Sequence, residues 1–454
     1  MSIRSINPVD NQLLEEVQPW SAERLDEALE GAAKAAPEWA ARPVLRRCER
    51  LAALGDVLRR RREEAARTIS REMGKRIVEA RGEIDKCAWV CDYYAEQAPR
   101  MLADIGIDSD AGYSAAVHQP LGTVFGIMPW NFPFWQVLRF GAPAVAAGNT
   151  VVLKHAENVP GCAALIEECF HQAGFPEGVF VNLVIDRDSA REVIEDARVH
   201  AVTLTGSERA GRAVAAQAGA VMKKTVLELG GSDPFIVLED ADLEDAVEWA
   251  ATSRFQANGQ SCIAAKRFIL VERVADEFVE RLAERAAERL PGDPLDENTR
   301  LGPMARRDLR DELHRQVLDA ISHGAKPVVG CELPEGPGAY YPASVLDGIT
   351  PAMRAWREEL FGPVASIIRV ADENEALRVA NDTPYGLGGS VWTRDSKRGE
   401  HLARALQSGS AFVNGMVKSD PRLPFGGIKL SGHGRELGSW GLREFVNLKT
   451  LWVR

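Results

Sequence analysis

Apolar residues recur at three-to-four spacing from Ala22 to Ala98, with many Ala, Arg and Glu between them, and this spacing predicts a helical lead-in. The run Arg59-Arg60-Arg61-Arg62-Glu63-Glu64 follows the apolar positions Leu51, Leu54 and Leu58 and reads as the solvated face of a helix. Beyond Ala98 the pattern changes to short apolar runs broken by Gly and Pro: GTVFGIMPW, NTVVLKHA, GVFVNLVI, HAVTLTGS, KTVLELGG and PFIVLED. Helical stretches such as QVLRFGAPAVAAG and GCAALIEECFHQAG lie between them, and the alternation predicts a parallel sheet covered on both faces. A second cycle follows, with RFILVE, a helix from Ala275 to Leu290, KPVVG and EELFGPVASIIRV, and it predicts a second α/β domain. GYSAAVHQP near Tyr113 and FVNLKTLWVR at the end read as strands outside either sheet, of the kind that serves subunit pairing.

Composition narrows the class. A chain of 454 residues suggests two or three domains at about 150 residues each. With 45% hydrophobic and 27% charged residues it reads as a soluble globular protein. No apolar run approaches the roughly 20 residues of a membrane span, so no membrane role is expected. The opening MSIRSINPVDNQ lacks the basic-then-apolar layout of a secretory signal, which points to the cytoplasm and reduced thiols. Seven cysteines, an odd number without a CxxC pair, argue against a disulfide framework and a cysteine zinc site. A net charge of -11 disfavours a nucleic-acid surface.

Candidate chemistry sits at the strand ends. GxGxxG is absent after the first strand of the alternating region. SGHGRELG from Ser431 is a poor substitute for it, and GSERAGR lacks the Lys-Ser/Thr end of a P-loop. What remains is Gly206-Ser207 between a strand and a helix, where free N–H groups could meet a phosphate or simply cap the helix. Cys262 lies in a Gly-Gln-Ser turn, where backbone N–H groups can approach an oxyanion; filler in a turn is the other reading. Glu228 stands in an apolar strand end before Gly230-Gly231, as a general base or as the partner of a distant cation. Asn131, in Pro129-Trp130-Asn131-Phe132-Pro133, is either an amide donor at a ligand-binding strand end or a turn residue.

Seven motifs in order, MPWNFPFWQ, VVLKHAE, TGSERAG, LELGGSDPFIV, NGQSC, EELFGPV and PFGGIKLSGHGRELG, resemble those of the aldehyde dehydrogenase superfamily from about Asn7 to the C-terminus. WQVLRF, LKHAE and SDPRLPFGG are most similar to its succinate-semialdehyde dehydrogenase branch. The resemblance implies a Rossmann-like NAD-binding domain (1–110 and 121–228), a catalytic domain (229–421) and an oligomerisation segment (111–120 and 432–454), in a homodimer or homotetramer. It implies Cys262 as nucleophile, Glu228 as the base that hydrolyses a thioester, and Asn131 with the Cys262 N–H as the oxyanion site. Trp130, Lys154 and Glu157 would line the adenosine ribose, Gly206 and Ser207 the pyrophosphate, and Glu359 and Phe361 the nicotinamide ribose. A carboxylate at Glu157 would repel a 2′-phosphate, favouring NAD, with NADP possible.

For the substrate, the resemblance implies that Arg139 binds a distal carboxylate, with Trp135, Ser419 and Arg422 around it. Two positions depart from the pattern. A second pocket arginine of part of the branch is Gln256 here, and VIDRDSA, with Asp186-Arg187-Asp188, replaces a Gly-rich turn. Succinate semialdehyde is the expected substrate; Phe134 and Trp135 would also suit less polar aldehydes. A catalytically silent homologue and a coenzyme A acyl-transferring relative are the competing readings. The set Cys262, Glu228 and Asn131 argues against the first, and Glu228 against the second.

Overall fold

The computed structural model describes residues 2–454. An N-terminal hairpin, Ile3–Ile6 with Leu13–Val17, precedes four helices, Ala22–Ala40, Val44–Arg60, Arg62–Met73 and Ile77–Met101. These are the expected helical lead-in, cut where Pro43 caps, where Arg61 leaves the helical track and where Gly74 turns left-handed. Arg59, Arg61 and Arg62 pair with Asp92, Glu64 and Asp85, so the arginine run is taken up by ion pairs at the surface.

A six-stranded sheet runs in the spatial order Gly432–His433, Lys224–Glu228, Val199–Thr205, Thr123–Met128, Thr150–His155, Phe180–Asn182. All neighbours are parallel except the first pair. The strand order reverses between Thr123–Met128 and Val199–Thr205, the kind of position where open α/β sheets leave a crevice beyond the strand ends. The chain leaves those two strands into Pro129-Trp130-Asn131 and into Gly206-Ser207. The helix Trp135–Ala147 is buried along its whole length between this sheet and Ile77–Met101.

The seven-stranded second sheet runs Lys326–Val329, Ser344–Asp347, Val364–Val370, Ala265–Val271, Asp233–Val237, Ser390–Trp392, Phe412–Val413. The two sheets meet where the first ends at Glu228 and the second begins at Asp233. The long helix expected over 275–290 spans Glu272–Ala287.

A three-stranded sheet stands apart. Tyr113–Pro120 pairs antiparallel with Val446–Val453 over its whole length, and Ile105–Gly106 adds a short edge. The two strands without a place in the larger sheets are therefore each other's partners. The expected boundaries shift with this pairing: Gly432–His433 joins the six-stranded sheet beside Leu227 and Glu228, and the small sheet begins at Ile105 instead of 111. Among the described residues no helix is long and apolar enough to cross a membrane.

Candidate active site

The turn before Cys262 is held in an unusual backbone conformation. Ala257, Asn258 and Gly259 have φ of 49°, 57° and 74°, and the two non-glycine residues cost about 1–3 kcal/mol each in this region. Side chains hold it there. Asn258 Nδ2 donates to the carbonyls of Gly74 and Pro303, both at 2.8 Å, and its Oδ1 accepts from Gly302 N at 2.7 Å. Gln260 Oε1 accepts from Ala305 N at 2.9 Å. A Cβ on Gly259 would overlap the Gly362 carbonyl carbon, so NGQSC can pack against the FGPV loop only with glycine there.

Cys262 opens onto a cavity of about 240 Å³, lined among others by Phe132, Trp135, Ile263 and Phe425, with cationic side chains on its wall. Burial pushes its thiol up to about 11; Arg139 and Lys266 oppose that rise, and Glu359 and Asp233 add to it. Lys266 Nζ donates to the Cys262 carbonyl at 2.7 Å and pairs with Glu359 at 3.1 Å. Asn131 is buried. Its Oδ1 accepts from Gln136 Nε2 at 3.0 Å and its Nδ2 donates to the Gln260 carbonyl at 2.9 Å, leaving one amide hydrogen unengaged, and Asn131 lies outside the lining of the cavity.

Glu228 lies outside the lining of this cavity. It is 2% exposed, both its carboxyl oxygens lack a hydrogen-bond partner, and Oε1 would lie 2.7 Å from a Cβ on Gly426. Burial raises its pKa well above the usual carboxylate range. The Glu436 carboxylate raises it further, and Arg139 draws it back. Glu436 is itself buried and raised by burial, with Arg139 as its ion-pair partner.

Of the expected substrate residues, Trp135, Arg139 and Ser419 line the cavity. Arg139 arrives engaged: besides Glu436, its Nη2 donates to Thr205 Oγ1 at 3.2 Å and its guanidinium lies 4.6 Å over the Phe425 ring. Arg422 does not reach the cavity. Its side chain is 66% exposed and folds back on Asp420 at 2.6 Å and over Trp89, because the Asp420 carboxylate two residues away is the nearer anion. Gln256 lines the cavity at the position of the departure noted above.

The expected dinucleotide residues cluster around the crevice. Trp130 and Phe361 meet edge to face at 5.8 Å, both partly exposed. Lys154 is buried, with its pKa lowered by that burial against the pull of Glu157, 4.0 Å away, and of Asp186. Arg187 approaches the same carboxylate at 3.8 Å, and Asp186 caps the helix Arg187–Glu195; this is the structural use of the VIDRDSA departure. Ser207 caps Glu208–Ala220 through Ala210 N at 3.3 Å, and a Cβ on Gly206 would meet only Leu204 and Ala210, at 3.9 Å or more. Glu359 Oε1 accepts from Gly231 N at 3.2 Å, and a Cβ on Gly230 would collide with its other oxygen. A buried cation, a capped helix N-terminus and two half-exposed aromatic rings fit a dinucleotide.

Residues that the sequence reading passed over complete the site. Glu436 sits in SGHGRELG, weighed above only as a phosphate loop, although a carboxylate among glycines and apolar residues is the same signal that marked Glu228. Lys266 follows Cys262 by four residues, and Lys86 is a lone cation beside buried Ile84, Cys87 and Ala88.

Comparison with known proteins agrees with this geometry. The Aldehyde dehydrogenase family model matches residues 1–451. The chain is 49% identical over 449 residues to the succinate semialdehyde dehydrogenase [NAD(P)+] Sad of Escherichia coli K12, covering 99% of this chain and 97% of that one. It is 45% identical over 445 residues to the succinate-semialdehyde dehydrogenase [NADP(+)] of Deinococcus radiodurans, covering 98% and 93%. The crystal structure of succinic semialdehyde dehydrogenase from Streptococcus pyogenes in complex with NADP+ superimposes with a TM-score of 0.97 at 37% identity, covering 99% of each chain. The chain therefore belongs to the aldehyde dehydrogenase family.

Proposed function

We propose that this chain is an NAD(P)-dependent succinate-semialdehyde dehydrogenase that works through a thioester on Cys262. The observation that carries the reading is the thiol held by a left-handed turn at a cavity with a cationic wall. Full-length relatives named for the same substrate support it.

In this reading Cys262 Sγ, as the thiolate favoured by Arg139 and Lys266, attacks the aldehyde carbon, and the free Asn131 amide hydrogen meets the oxyanion. The bound nicotinamide supplies a hydride acceptor. Cys262 then carries the acyl group as a thioester, which water opens while Glu228 accepts a proton from that water. Burial and the Glu436 carboxylate oppose ionisation of Glu228, while Arg139 and Arg435 favour it.

The three-stranded sheet exposes Tyr113, Leu448, Leu451, Trp452 and Val453, and this apolar surface supports a homo-oligomer built through it.

The test is the absorbance of reduced cofactor with succinate semialdehyde and butanal, each with NAD and NADP. The proposal expects a higher kcat/KM for succinate semialdehyde and no turnover by a folded Cys262→Ala variant. Equal use of both aldehydes contradicts the substrate, and turnover by Cys262→Ala contradicts the nucleophile.

A further inference from the structure

Five cations on or beside the cavity wall are already spoken for or lie in water. Lys75 is buried on Glu83, whose carboxylate also accepts from the Phe134 and Trp135 amides at 2.9 and 3.0 Å. Arg139 is buried on Glu436, Arg76 pairs with Glu79 at 2.8 Å and Arg422 with Asp420 at 2.6 Å. Lys418 is exposed at the rim. Lys86 differs from all of these. It is partly buried, lines the cavity, donates to Ser419 Oγ at 2.7 Å and sits 4.3 Å over the Trp135 ring, yet among the described residues no carboxylate lies within ion-pair distance of it.

The two anions that could neutralise Lys86, Glu83 one turn earlier and Asp420 next to Ser419, are committed elsewhere. The charge of this wall is therefore incomplete until an anion enters the cavity. We propose that Lys86, anchored by Ser419 and Trp135, receives the distal carboxylate of the substrate. This rests on the succinate-semialdehyde reading above. The substitution of the second arginine by Gln256 then leaves the pocket with its cation, supplied from the helix Ile77–Met101.

Burial and the neighbouring Arg139 bring the Lys86 ammonium down to about 8, while Cys87, Asp420 and Glu83 oppose that fall. Lys86 is charged at neutral pH and loses its charge in the alkaline range.

The experiment compares kcat/KM for succinate semialdehyde and for butanal in wild type, Lys86→Met and Lys418→Met. Wild type showing no preference for the acid aldehyde defeats the functional reading itself. Given that preference, Lys86→Met is expected to lower the quotient of the two values by about 30- to 1,000-fold, the range for a lost buried charge contact. Lys418→Met should move it less than about threefold, as expected of an exposed cation. A preference kept by folded Lys86→Met overturns the inference and leaves the functional reading standing. If Lys86→Met does not fold, wild type carries the test: the quotient falls about tenfold per pH unit above Lys86's value, because Cys262 ionisation cancels between the two aldehydes. A quotient flat to about pH 10 overturns the inference.

Discussion

The buried guanidinium of Arg139 pairs directly with the buried Glu436 and draws down the pKa of the buried Glu228, which Glu436 raises. Arg139, together with Arg435, thus opposes the rise that burial and Glu436 impose on the base proposed for the thioester step. Arg139→Ala leaves Glu436 without its ion-pair partner and is expected to destabilise the fold by about 3–5 kcal/mol, measurable by urea unfolding. It should depress turnover of succinate semialdehyde and butanal by similar factors, with Glu436→Gln added to it recovering part of the stability. A loss confined to succinate semialdehyde with unchanged stability would restore Arg139 as the carboxylate clamp that family resemblance implies.

Cys262 is the partly exposed thiol among seven free cysteines, the other six being buried. With its thiol pushed up to about 11, the cofactor-free enzyme holds about one thiolate in ten thousand at pH 7. Iodoacetamide alkylation should therefore be slow at pH 7 and rise about tenfold per pH unit through pH 9. A rate that levels off near pH 8, as for an ordinary thiol, contradicts this.

Glu157 sits within 4.0 Å of Lys154, on the proposed ribose side. Glu157→Ser removes the carboxylate that opposes a 2′-phosphate while Lys154 and Arg187 remain, and should shift the NADP/NAD ratio of kcat/KM upward by about tenfold, or 1.4 kcal/mol. An unmoved ratio removes Glu157 from the cofactor site.

Sequence pattern made the α/β rhythm and the helical lead-in legible, and it marked Cys262, Glu228 and Asn131 as candidates because each is a chemical group in a Gly- or Pro-rich break. It left out what depends on pairing between distant segments. Arg139 and Glu436 lie 297 residues apart in the chain, so nothing local reveals that the arginine is engaged. Arg422 was placed in the pocket by its loop, and its capture by Asp420 is a matter of side-chain reach. The partnership of Tyr113–Pro120 with Val446–Val453 was invisible for the same reason: strand pattern reports a face and says nothing of which strand covers its edge.

The central claim is a thioester between Cys262 and the acyl group of succinate semialdehyde, opened by Glu228. The most direct measurement is peptide mass spectrometry of acid-quenched Glu228→Gln after mixing with NAD and succinate semialdehyde. The account predicts about one reduced cofactor per active site, then a stall, with a succinyl group on the peptide carrying Cys262. A burst without an adduct on that peptide, or an adduct on a different residue, would contradict it.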